Sequence, residues 1–195
     1  MVDNLNNMLT NESSYVNAKQ FYKNNSSISD KYIMKCFYMC VFSCGSITRC
    51  QVINSDLSSN SFESMVFEDC ILNSIDLTKS EFDSCLFKNV TFIDCLLRKT
   101  EFTDTTFIDC TFQNSSFVNI FLTSSELLSS SLDTVNFSNA NITDLKTSDL
   151  KISNLVLRSP VYIWDKDWNW MLNDGPRNCT IIDDINNFKK FLNNV

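Results

Sequence analysis

The stretch EFDSCLFKNVTFIDCLLRKTEFTDTTFIDCTFQNSSF, residues 81–117, repeats every five residues. Phe82, Phe87, Phe92, Leu97, Phe102, Phe107, Phe112 and Phe117 mark the beat. Outward from it, every fifth residue from Tyr32 to Ile142 is apolar, 23 in succession, and 12 of the 16 Phe residues lie on this row. A period of five fits neither regular element. On a helix it advances the side chain by about 140° beyond a full turn, so the row would spiral around the axis. On a straight strand an odd period puts successive hits on opposite faces. One interior can collect the whole row only if the chain turns a corner in every repeat.

A second row lies two residues before each centre and is mostly small or medium: Cys70, Ile75, Ser80, Cys85, Val90, Cys95, Thr100, Thr105, Cys110, Ser115. Residues two apart on an extended segment point the same way, so this row also faces inward. One large and one small side chain per side fill a narrow interior without voids. The other three positions are rich in Asp, Glu, Asn, Ser, Thr and Lys and are expected to face solvent. Fixed-period self-similarity without a helical or heptad pattern reads as a β-solenoid.

Ser55-Asp56-Leu57, Ile75-Asp76-Leu77, Ala140-Asn141-Ile142, Ser148-Asp149-Leu150 and Ser153-Asn154-Leu155 resemble the A(D/N)LXX motif of the pentapeptide-repeat family. The resemblance covers about two-thirds of the chain. It implies an all-β fold, a right-handed quadrilateral β-helix with four repeats per coil and short helical end segments. Coils would stack at the inter-strand spacing of about 4.8 Å.

The expected layout is an N-terminal cap or disordered segment over residues 1–30, the solenoid over 31–157, and a C-terminal cap or dimerisation segment over 158–195. Within the first part, Ser14 to Tyr22 could form a short amphipathic helix with Tyr15, Ala18 and Tyr22 on one side. After Ile142 the strongest apolar positions become Leu145, Leu150 and Leu155, which predicts a slip of register, although Ile152 and Leu157 keep the old one. Trp164, Trp168 and Trp170 then form an aromatic cluster. Ile185, Phe188, Phe191 and Leu192 share one helical face behind Asp183 or Asp184 as N-cap.

No basic n-region precedes an apolar run at the start, and the most apolar segment, residues 32–44, is too short to span a bilayer. The expectation is a cytoplasmic chain without membrane contact. Six of the nine cysteines (Cys40, Cys50, Cys70, Cys85, Cys95, Cys110) fall on the small inward row and read as buried hydrophobes. With no His and no zinc spacing, neither a metal nor a cofactor is expected. The same lack of His removes Ser-His and Cys-His nucleophile pairs, and two glycines allow no phosphate loop. The chain is therefore not expected to be an enzyme.

Charge is more informative. Residues 53–157 hold 15 Asp/Glu and 6 Lys/Arg, a net of −9, so the remainder is +2 within the total of −7. Folded with a period of 20, the face centred on Phe62, Phe82, Phe102 and Leu122 carries Glu63, Glu81, Asp83, Glu101 and Asp104 and no Lys or Arg. The face centred on Leu57, Leu77, Leu97 and Phe117 carries Lys79, Arg98 and Lys99. The face centred on Phe67, Phe87, Phe107 and Leu127 carries the outward apolar residues Val66, Leu86, Ile108 and Leu128, to be covered by a terminal segment or a docked partner.

A stiff rod with a carboxylate column can occupy a basic DNA channel by the electrostatics that draw Lys and Arg to phosphates. The resemblance extends to the Qnr-like quinolone-resistance members, which bind DNA gyrase. It implies a protein partner, a type II topoisomerase, and DNA mimicry without direct nucleic-acid binding; the chain lacks an obvious loop insertion before residue 142. The alternative is a structural or interaction scaffold, including a secreted bacterial effector, with another partner.

Overall fold

Each block of five makes a three-residue strand and a corner. Glu81–Asp83, Leu86–Lys88 and Thr91–Ile93 are successive strands on three successive faces. The corner is set by the residue two after each centre, which adopts a left-handed backbone, as at Ser84 (φ 54°), Asn89 (φ 50°) and Asp94 (φ 53°). Asp and Asn are prominent at these corners because their short polar side chains tolerate that region. Their enrichment there therefore has a conformational cause as well as exposure to solvent.

The computed structural model describes residues 16–17, 22–24, 27–30, 32–33, 37–164 and 179–195. It is a parallel β-solenoid whose described strands form two seven-stranded sheets, one nine-stranded sheet and one two-stranded sheet. Successive coils pair twenty residues apart. Phe82 pairs with Phe62 and Phe102, Phe87 with Phe67 and Phe107, and Phe92 with Leu72 and Phe112. The fourth face closes through single bridges, Asp56 to Asp76, Asp76 to Leu96, Leu96 to Ser116 and Ser116 to Asn136. On that face the Asp of the sequence motif has a local duty. The carboxylates of Asp56 and Asp76 accept hydrogen bonds from the Ser58 and Thr78 amides and hold the turn.

The centre row is the core, and its rings stack along the axis. Phe62 and Phe82 lie 4.6 Å apart, Phe82 and Phe102 4.8 Å, Phe67 and Phe87 4.6 Å, and Phe92 and Phe112 4.6 Å. Between faces the contacts are edge-on, as for Phe102 and Phe107 at 5.1 Å. The small row does more than fill space. Cys85 Sγ donates to the Phe62 carbonyl, Cys95 Sγ to Leu72, Cys110 Sγ to Phe87, Thr105 Oγ1 to Phe82 and Ser125 Oγ to Phe102. A small side chain carrying one hydrogen satisfies a buried carbonyl of the preceding coil, which explains the choice of Cys, Ser and Thr.

Two expectations are corrected. Within the segment expected to be helical, Val16–Asn17 is a strand paired with Phe37–Tyr38, and Tyr22 at its end opens the strand Tyr22–Asn24, which pairs with Val41–Ser43; Tyr15 and Ala18 lie outside the described residues. Ladder pairing along exposed strand edges overrides a weak amphipathic pattern. Ser27–Ser29 likewise pairs with Ser46–Thr48, so the ladders begin upstream of residue 31. The register does not slip after Ile142. Lys146 pairs with Glu126 and Lys151 with Ser131, so the twenty-residue step continues. Leu145 and Leu155 are buried in the small row instead, Leu145 two residues before the smaller Thr147 of the centre row.

Val161–Trp164 extends the Phe62 sheet beyond Asn141–Thr143, and Cys179–Ile182 adds an antiparallel edge strand. Helix α1, Ile185–Leu192, follows; Asp184 caps it by accepting from the Asn186 and Asn187 amides. Phe188 and Leu192 are fully buried, with Phe188 edge-on to Phe137 at 5.2 Å. Thr147 donates from its amide to the Val195 carbonyl and from Oγ1 to the Leu192 carbonyl, fixing the far end of α1 to the last coil.

Candidate interaction surfaces on the solenoid

The five carboxylates lie on or beside the Phe62 sheet, but they do not form one column. Glu81 and Glu101 are in register in one outward row, and Glu63 and Asp83 in another on the far side of the Phe row. Asp104 stands at the following corner, with φ 48°. All five are exposed, and none forms an ion pair with a described residue. Burial, with Glu81 as the next cause, raises the Glu101 carboxyl above the ordinary glutamate value.

The expectation that opposite charge lies elsewhere is also corrected. Lys79 and Lys99 occupy the corner immediately before Glu81 and Glu101 and line the same surface groove, together with Asn119, Phe121 and Asn141. Folding the sequence by faces assigns these lysines to the Leu77 face, yet a corner residue borders two faces at once. Phe121 follows Glu101 in the same outward row and is 41% exposed. Apolar position counting misses it, because Leu122 beside it takes the core position.

The apolar stripe divides in the same way. Val66 and Leu86 stack in one outward row, and Ile108 and Leu128 in another. All four are half-buried. On this face charges alternate between coils, with Lys88 bound to Glu68 at 2.8 Å and Lys146 to Glu126 at 3.0 Å.

At the C-terminal end, Trp164 is half-buried and its Nε1 donates to Asn141 Oδ1 at 3.1 Å. Trp168 and Trp170 lie outside the described residues. Ile185 and Phe191 pack partly against the core, while Phe188 and Leu192 are wholly taken up within the chain. Those two side chains cannot also face a second copy.

Among the described residues, no group of three His, Cys, Asp or Glu could hold a metal ion. No helix among them is long and apolar enough to cross a membrane. Burial pushes the thiols of Cys85 and Cys110 up to about 12 and that of Cys95 up to about 11. Cys70 is also raised, first by its hydrogen bond with Cys50 and then by burial. Thiolate is the reactive form, so thiol labelling without denaturant is expected to modify exposed Cys44 and leave Cys70, Cys85, Cys95 and Cys110 intact. Rapid labelling of all four would contradict their burial.

A family model described as a pentapeptide repeat region matches residues 45–119. The matched residues lie wholly within the parallel β-solenoid and resemble a pentapeptide repeat region. No curated protein matches the chain. Among solved structures it is similar to QnrB1, a plasmid-mediated fluoroquinolone resistance protein, at 10% identity and a TM-score of 0.29, covering 68% of this chain and 93% of that one. It is also similar to HetL, a pentapeptide-repeat protein involved in heterocyst differentiation regulation in the cyanobacterium Nostoc sp. strain PCC 7120. That match has 8% identity and a TM-score of 0.32, over 74% of this chain and 89% of that one. Rfr23 from the cyanobacterium Cyanothece 51142 matches at 12% identity and a TM-score of 0.31, over 69% and 86%.

Proposed function

We propose that this solenoid acts without catalysis, by binding a protein partner through the carboxylates of the Phe62 sheet, and that the partner is a type II topoisomerase. The observation that carries the reading is the in-register stacking of like charges, Glu63 on Asp83 and Glu81 on Glu101. Like charges directly opposite each other in a sheet are destabilising, and the core needs none of them. Asn, Ser or Thr would serve the same outward positions. A basic channel built for DNA offers the compensating charge, and DNA gyrase is the candidate that the resemblance to Qnr-like proteins suggests.

A gyrase supercoiling assay with the purified protein tests the reading. Inhibition is expected, weakening as salt rises, because exposed charges are screened within about 10 Å at 0.1 M. Replacing Glu63, Glu81 and Glu101 by Gln and Asp83 and Asp104 by Asn is expected to abolish inhibition while the thermal unfolding curve is retained. A parent that never inhibits gyrase, or a neutralised variant that inhibits equally well, would leave the scaffold reading in its place.

A further inference from the structure

The groove at the corner between the Leu77 and Phe62 faces carries charge of both signs in separate rows. Lys79 and Lys99 form one row, and Glu81 and Glu101 form the other. On the Phe67 face the solenoid places opposite charges in adjacent coils, as in Lys88 with Glu68 and Lys146 with Glu126. Here each row stacks like on like, and none of the four side chains forms an ion pair with a described residue. The rows repeat at the coil spacing of about 4.8 Å. A partner that meets both rows, charge for charge, needs an acidic and a basic row with that same repeat.

A second copy of this chain has that surface. We infer that this corner is a self-complementary interface at which two solenoids pair side by side. A two-fold axis parallel to the rods and midway between the rows places Lys79 against Glu81 of the second copy and Lys99 against its Glu101. The two-fold repeats both contacts, so each lysine and each glutamate of the four finds a partner. An axis perpendicular to the rods and lying in the interface would set lysine against lysine, so the charges select parallel rods. Phe121, one coil beyond Glu101 and exposed, lies beside the seam and supplies apolar contact. The interface is small and electrostatic, hence weak and sensitive to salt. It needs no topoisomerase, although it shares Glu81 and Glu101 with the surface proposed for that partner so that the two bindings exclude each other, and it uses neither Phe188 nor Leu192.

The test is a pair of charge-reversed variants of the full chain, K79E/K99E and E81K/E101K, studied by sedimentation equilibrium. The parent is expected to show a dimer that dissociates as salt rises. Each variant alone should be monomeric with the parent's circular dichroism, and an equimolar mixture should regain the dimer mass. A parent that stays monomeric at its highest soluble concentration in low salt overturns the inference. So does a dimer that survives in either variant alone, or a mixture of folded variants that fails to associate.

Discussion

Phe102→Asp is expected to abolish folding, and Phe102→Ala to lower stability by about 3–5 kcal/mol. Phe102 is 1% exposed, stacked on Phe82 at 4.8 Å and edge-on to Phe107 at 5.1 Å. The alanine variant leaves a cavity in an interior only one large side chain deep on each face, which neighbouring coils cannot close without breaking their ladders. Aspartate adds an uncompensated charge, because the inward groups around it are apolar rings or hydroxyls already bonded, such as those of Thr105 and Ser125. Thermal and denaturant unfolding followed by circular dichroism would measure both effects. A Phe102→Asp protein with the parent's melting curve would refute an interior built on the five-residue beat. Phe102→Leu is the control: Leu122 already occupies the next place in that column, so the cost should be smaller than that of alanine.

The fold is legible in the sequence because its period appears in residue identity. Phe at most centres and Cys, Ser or Thr two places earlier report inward positions directly. What stays hidden depends on neighbours twenty residues away or on corners. The Cys85 thiol looks like a small hydrophobe until the Phe62 carbonyl is found beside it. Asp94 and Asn89 look like solvent-facing polar residues until their left-handed backbone is seen. The apparent slip at Leu145 reflects side-chain size alone; strand pairing, which no local pattern reports, keeps the step constant.

The candidate site is legible only in part, for the same reason. A face assignment by period places the five carboxylates on the right sheet but merges two rows into one column. It also assigns Lys79 and Lys99 to a separate side, although each is two residues from the Glu it borders. Charge on a solenoid is organised by rows and corners, and a corner side chain serves both adjoining faces. That difference turns one acidic column into an acidic side bearing Glu63, Asp83 and Asp104 and a mixed edge bearing Glu81 and Glu101.

Removing residues 161–195 is expected to cause aggregation and a large loss of thermal stability. The deletion takes away Val161–Trp164, leaving the Asn141–Thr143 edge without its next strand. Exposed edges of this kind template pairing with other chains. It also takes away Phe188 and Leu192, so that Phe137 loses its ring contact with Phe188 and the end of the core meets water. Phe188→Ala separates these two effects, since it keeps the strand and removes only the plug. It is expected to cost about 3–5 kcal/mol, as for other buried Phe truncations. Phe191→Ala, at a half-buried position on the same helix, should cost less. Light scattering and thermal unfolding of the three variants would show the order deletion, Phe188→Ala, Phe191→Ala. A deleted chain that stays soluble and melts with the parent would mean that the last coil needs no cover, and the burial of Phe188 would then carry no weight in holding the rod together.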